Sequence, residues 1–243
     1  MDPYLLGLAA VGLFAAGIVK GGTGLGYSSC AIPFLVPAVG LHAAMVVVLA
    51  PAIATNLGVA LSAGHFKETC RRFYPFYLAT LPGIVCGVLI LTVFDQHVAT
   101  RALGIMVLAY AVFALVKPSR VLPQALAALL QGPAGFTNGI VTGLTGSQVM
   151  PLLPYMMSLD LPPERFVQAV NLSVLVSSLV LAAALAVAGA VDQHWFGLSL
   201  AAIIPAMLGI RVGTYWRRYI SAERFRTLVL VVLLVMGLML LIR

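Results

Sequence analysis

Apolar residues run along this chain in ten stretches separated by short polar or Gly/Pro-containing interruptions. They fall at about residues 4–19, 26–39, 43–64, 73–94, 98–116, 122–142, 146–158, 165–190, 194–216 and 221–242. Eight of them come close to the roughly 20 residues an α-helix needs to cross a bilayer. The two short ones, 26–39 and 146–158, predict half-helices or re-entrant pieces. Amphipathic periodicity adds little, because helices buried in lipid and protein are apolar on every side. The pattern predicts an all-α polytopic membrane protein, a single transmembrane domain over residues 1–243.

The two short stretches recur because the chain repeats itself. Gly17-Ile18-Val19-Lys20-Gly21-Gly22-Thr23-Gly24 matches Gly139-Ile140-Val141-Thr142-Gly143-Leu144-Thr145-Gly146 at six of eight positions. Gly83-Ile84-Val85-Cys86-Gly87 matches Gly209-Ile210-Arg211-Val212-Gly213, and Ala99-Thr100-Arg101 resembles Ala222-Glu223-Arg224. The offsets are 122, 126 and 123, in preserved order. A duplication follows, with repeat one at about 5–117 and repeat two at about 122–242. Each half reads long, short, long, long, long.

Composition agrees and removes other classes. Apolar residues make up 62% of the 243 and charged ones 9%, far from the half and quarter of soluble domains. A soluble enzyme, a secreted disulfide scaffold, a nucleic-acid binder and a disordered chain are all excluded. Cys30, Cys70 and Cys86 have no metal-like or CxxC spacing. The start, Met1-Asp2-Pro3-Tyr4, lacks the basic region of a signal peptide, so the first apolar stretch is expected to belong to the fold.

Fourteen Lys and Arg against seven Asp and Glu give a net +7, which here records orientation. Lys67, Arg71 and Arg72 follow the third stretch, and Lys117 and Arg120 follow the fifth. Two crossings separate those loops, so both lie on one side, the cytoplasmic one by the positive-inside rule. An odd number of crossings per half also puts Arg217, Arg218, Arg224 and Arg226 inside, and Asp95 and Asp192–His194 outside. Odd parity makes the halves inverted, the architecture of secondary transporters with a site at the repeat interface. It holds whether the first stretch and its short neighbour both cross, giving five crossings, or turn back as a hairpin, giving three.

The chemistry concentrates at the duplicated breaks. In Lys20-Gly21-Gly22-Thr23-Gly24-Leu25-Gly26-Tyr27-Ser28-Ser29, four glycines in six residues predict an interrupted helix with free backbone N–H groups. Such backbone is tolerated in a membrane only where it lines protein or water. A helix restarting near Leu25 or Gly26 would aim its positive end into that space. Lys20 would add a full charge, and Thr23, Ser28 and Ser29 hydroxyls: a site for a small oxyanion. The second break, Asn138 to Gln148, carries Thr142 in place of Lys20 and is neutral. Close helix packing by the glycines and snorkelling by Lys20 are the competing structural reading.

The candidate binding residues are Lys20, Gly22, Thr23, Gly24, Gly26, Tyr27 and Ser28 from the first break. The second break supplies Thr142, Thr145, Gly146, Ser147 and Gln148. Asn56 and Asn171 join them from the third and eighth stretches, where Thr55, Gln168 and Ser173 are secondary candidates. Buried amides of this kind are costly unless paired, so they should face the bundle interior. Arg211 interrupts an apolar run, a functional signal by default. It stands six residues before Arg217, however, about 9 Å along a helix, and is read as snorkelling to the interface. The seven acidic residues and four histidines fall in predicted loops or near stretch ends, so a carboxylate proton relay or sodium site is not expected. No metal, cofactor or enzymatic motif is present.

The duplicated starts, Gly17–Gly26 followed by Pro33 and Gly139–Gly146 followed by Pro151 and Pro154, together with Gly83/Gly87 and Gly209/Gly213, resemble the TauE/SafE family of sulfite exporters and sulfonate permeases. The resemblance covers about residues 5–242. The family's GxGGG-like stretch reads here Gly24-Leu25-Gly26-Tyr27-Ser28 and Gly146-Ser147-Gln148-Val149-Met150. The resemblance implies an inner-membrane permease for small anions such as sulfite, sulfoacetate or related sulfonates; small carboxylates and an anion channel are the alternatives. Expected partners are the anionic substrate and the bilayer, with a homo-oligomer left open, and no nucleic acid.

Overall fold

The computed structural model describes residues 3–62, 64–116, 121–217, 219 and 222–242, with side chains left aside at 3–6, 8 and 222–226. Lys117, Arg120, Arg218 and Arg243 lie outside the described residues. Within them the chain is helical: α1 Pro3–Thr23, α2 Tyr27–Val39, α3 Leu41–Ser62, α4 Phe66–Val93, α5 Gln96–Val116, α6 Gln124–Thr145, α7 Leu152–Met157, α8 Pro163–Val187, α9 Gln193–Ala201, α10 Ile203–Trp216 and α11 Ala222–Ile242. Five helical units, α3, α4, α5, α8 and α9–α10, are long and apolar enough to cross a membrane. The protein is a multi-pass membrane protein. Leu78, Val85, Leu89, Ile105 and Val112 on the outer faces are exposed, as lipid-facing residues are.

Three predicted boundaries shift. The fourth stretch begins seven residues early, at Phe66, so Lys67, Glu68, Arg71 and Arg72 form the first turns of α4 instead of a loop. The ninth divides at Ala202 into α9 and α10. Ser199 of α9 accepts a 3.0 Å bond from the backbone N–H of Ala50 in α3, docking α9 on α3. The short seventh stretch is helical only over Leu152–Met157.

Hairpins account for the short stretches. Leu122, before α6, donates its N–H to the Ser158 carbonyl after α7 at 2.9 Å, so the chain enters and leaves this pair at one end. At the other end, Gly40 after α2 lies against the Gln96 amide that begins α5. Three traversing units follow each hairpin: α3, α4 and α5, then α8, α9–α10 and α11. The end bearing Arg71, Arg72 and Arg217 is called the basic end; there Arg165 of α8 pairs with Glu68 of α4 at 2.9 Å.

Glycines set the closest helix contacts. Gly17 and Gly21 of α1 lie against Gly209, Ile210 and the Ala206 carbonyl of α10, while Gly139 and Gly143 of α6 lie against Gly83, Ile84 and the Thr80 carbonyl of α4. These are corresponding positions, 122 residues apart in α1 and α6 and 126 apart in α4 and α10. The contacts recur pair by pair, and α1 and α6 run in opposite directions. A Cβ on Gly139 would stand 2.8 Å from the Gly83 Cα, so only glycine lets the backbones approach this closely. Gly17 and Gly21 are therefore packing residues, and α1 continues through Gly21 and Gly22 to Thr23, where a break at Gly21 was expected.

The core lies between these pairs. The spanning windows of α3 and α8 are 56% and 50% buried, against 28% for α9–α10, so α3 and α8 are the central helices. They are also the two that carry the buried amides Asn56 and Asn171.

Candidate functional site

The first hairpin tip breaks at Gly24–Gly26. Gly24 and Gly26 have φ of +80° and +78°, left-handed values that side-chain-bearing residues rarely adopt. Thr23 holds the turn together: its hydroxyl donates to the Val19 carbonyl at 2.8 Å and accepts from the Leu25 N–H at 3.2 Å. Helix α2 then starts at Tyr27 with no side-chain cap, which leaves the amides of its first turn to face whatever lies ahead.

Lys20 is 5% exposed and does not snorkel to a surface. Its Nζ donates to Asn56 Oδ1 at 2.7 Å and to Asn171 Oδ1 at 3.1 Å. Both amides are locked in that orientation. Asn56 Nδ2 donates to the Ala52 carbonyl at 2.7 Å, and Asn171 Nδ2 to those of Val167 at 2.8 Å and Gly24 at 3.3 Å. An ammonium has three donors, and these bonds use two. Both partners are neutral, and no described carboxylate lines the cavity around Lys20. A lone buried cation costs several kcal/mol in desolvation, a cost that a neighbouring anion would offset.

That chamber is bounded by Lys20, Gly26, Tyr27, Ser28, Asn56 and Asn171, closed from the second hairpin by Gln148, Val149 and Leu153. About 20 Å³ of it is open to the centre of a water molecule, room for a water or so. The hydroxyls of Tyr27 and Ser28 and Oε1 of Gln148 are buried without a hydrogen-bond partner. Orphan groups of this kind are expensive to leave unpaired.

The second tip is built differently. Gly146, at φ +70°, ends α6 and packs against Ile32 and Met45. Thr145 caps from within, accepting from the Ser147 N–H at 3.1 Å, and Thr142 donates weakly to the Ser147 carbonyl at 3.4 Å. Ser147 reaches across to the first tip, its hydroxyl 3.1 Å from that of Ser29. Thr142, Thr145, Gly146 and Ser147 do not line the Lys20 chamber. They brace the tip-to-tip contact. Gly22 and Thr23 face a second, larger cavity, and Gly24 contributes its carbonyl to Asn171.

Arg211 is exposed on α10 and lines neither cavity. Thr55 bonds back to its own helix at Ala52, and Gln168 donates to the Ala60 carbonyl at 2.9 Å; neither they nor Ser173 line the chamber. Ser178, absent from the sequence candidates, accepts from Gln148 Nε2 at 3.1 Å. Its signal was available: Gln168, Asn171 and Ser178 form one stripe of α8 at helical spacing. Among the described residues no cluster of His, Cys, Asp or Glu could hold a metal ion.

The family model described as sulfite exporter TauE/SafE matches residues 8–240, nearly the whole chain. No curated protein and no solved structure matches the chain.

Proposed function

The chain belongs to the sulfite exporter TauE/SafE family of membrane transporters, and from that premise we propose that it carries small sulfur oxyanions, sulfite or short sulfonates, by alternating access around Lys20. The observation that supports the reading most strongly is the buried Lys20 amine, held by two neutral amide oxygens in a cavity that no described carboxylate lines. An oxyanion in the chamber would accept from Lys20, from the Ser28 hydroxyl and from the first-turn amides of α2, and would restore charge balance in a low-dielectric site. The chamber is too small for the anion in this conformation, so binding requires the two hairpin tips to move apart. Their attachment to opposite halves of the chain is what a rocking motion would use. With the basic end cytoplasmic, a cell-negative potential favours anion export by about 2.3 kcal/mol per charge per 100 mV. Efflux then needs no coupling ion.

The test is efflux and uptake in proteoliposomes loaded with sulfite, sulfoacetate, taurine, thiosulfate or a small carboxylate. Saturable transport of a sulfur oxyanion is expected from the wild type and its near-complete loss from Lys20→Ala, with both proteins equally folded. Wild-type rate and apparent affinity in Lys20→Ala would remove Lys20 from the site. A preference for carboxylates over every sulfur oxyanion would replace the substrate class.

A further inference from the structure

A second cavity lies directly against the Lys20 chamber. It is far larger, about 560 Å³ on the same measure, and its outer part is lined by Met157, Asp160, Phe166 and Arg217. Asp160 and Phe166 flank the start of α8, and Arg217 ends α10; both places are at the basic end. The two cavities share five lining residues, Leu25, Gly26, Ser29, Val149 and Leu153. Gly26 has no side chain, and the Ser29 hydroxyl is taken up by the Ser147 hydroxyl and the Gln148 N–H at 3.1 and 3.3 Å. The aliphatic side chains common to both cavities are those of Leu25, Val149 and Leu153.

Those three come from opposite hairpins. Leu25 stands between Gly24 and Gly26 in the first tip, Val149 in the irregular run before α7, and Leu153 in the first turn of α7. Val149 and Leu153 are buried. An apolar constriction stops a hydrated anion because passage would strip its water without offering a hydrogen bond. Small shifts of either tip would part it, since each borders non-helical backbone.

We propose that Leu25, Val149 and Leu153 are the inner gate of the transporter, and that this conformation is open to the basic end as far as that gate. The proposal rests on the reading of Lys20 as the anion site. Arg217, at the vestibule wall, would draw anions towards the gate, while Leu25 and Leu153 decide when they pass.

Labelling of a cysteine inside the chamber tests this. Ser28→Cys is placed in a background of Cys30→Ser, Cys70→Ser and Cys86→Ser, and a membrane-impermeant methanethiosulfonate reagent is applied from each face of reconstituted vesicles. With the gate intact, labelling should be slow, whereas Met157→Cys in the vestibule labels fast from the Arg217 face. Adding Leu153→Ala should accelerate Ser28→Cys labelling about tenfold from that face only, and Leu230→Ala, on the vestibule wall away from the partition, should not. Equal rates with and without Leu153→Ala, or the same acceleration from Leu230→Ala, would overturn the gate. If Leu153→Ala does not reconstitute, Leu25→Ala on the other hairpin carries the same expectation. In a Lys20→Ala background the ratio of Ser28→Cys labelling rates with and without Leu153→Ala should be preserved, so failure of the gate appears in that ratio and failure of the anion reading in transport alone.

Discussion

The two hairpin tips start from nearly the same eight residues and end as different devices. In both, two glycines spaced by four seat the helix against a partner from the other half, Gly17 and Gly21 on α10, Gly139 and Gly143 on α4. Beyond them the tips diverge. The first presents Lys20 and the uncapped start of a 13-residue helix; the second presents Thr142, an irregular run and a six-residue helix. The glycine contacts recur because backbone contact tolerates no side chain, and the chemistry is free to differ because the space ahead of each tip is not filled by backbone. One tip carries the charge, and the other closes the chamber and ties itself to the first through Ser147 and Ser29.

The largest effect should come from breaking what the tips share. Gly17→Val and Gly139→Val each drive a side chain into facing backbone, with a Cβ 3.0 Å from Gly209 Cα in one case and 2.8 Å from Gly83 Cα in the other. Even the smaller overpacking of Ala costs about 1–3 kcal/mol. Both valine variants should lose the monodisperse peak in detergent gel filtration, and to a similar extent. One surviving intact would separate the two contacts.

Exchanging what the tips do not share comes next. The double variant Lys20→Thr with Thr142→Lys moves the charge to the other half. At the offset of 122, Asn56 and Asn171 are replaced there by Ser178 and Leu49, so the moved ammonium finds no pair of amide oxygens. Transport should fall about 100-fold and stay there, the loss of a charge-assisted contact of about 3 kcal/mol. Recovery of the wild-type rate would mean that the halves are chemically interchangeable.

A smaller change probes the amides alone. Asn56→Leu and Asn171→Leu each remove one oxygen from Lys20, and apparent affinity measured in proteoliposomes should weaken about tenfold. Ser178→Ala, which only loosens Gln148, should cost less than either. The smallest effect belongs to Arg211→Gln: an exposed residue outside both cavities should leave uptake within about twofold of wild type.

Much of this was legible in the sequence because membrane proteins write their constraints in long runs. Residues 26–39 and 146–158 were recognisable as too short to span, and the matched glycines as stretches that make matching contacts. Lys20 stood out as a charge beside a break. Less legible was the division of labour among the glycines. Gly21 and Gly24 look alike in a run of four, yet one packs on Ile210 of α10 and the other turns the chain at φ +80°. The difference lies in what stands 189 residues away, and local spacing carries no trace of it. Ser178 shares a stripe of α8 with Gln168 and Asn171 that was open to reading, but its partner Gln148 appears only in the fold.

By itself the sequence determined that the chain lives in a membrane, that similar glycine-rich stretches recur along it, and that a lysine, Lys20, stands at one glycine break. Those follow from hydrophobicity, internal similarity and residue type, which need no neighbours to be read. Tertiary structure alone decided that each short stretch turns back on the helix before it, and that Lys20 faces Asn56 and Asn171 in a cavity that no described carboxylate lines. It also placed Leu25, Val149 and Leu153 along both cavities. Each of these depends on which distant segments meet, and that is set by backbone approach at a few glycines and by the cost of leaving a buried polar group without a partner.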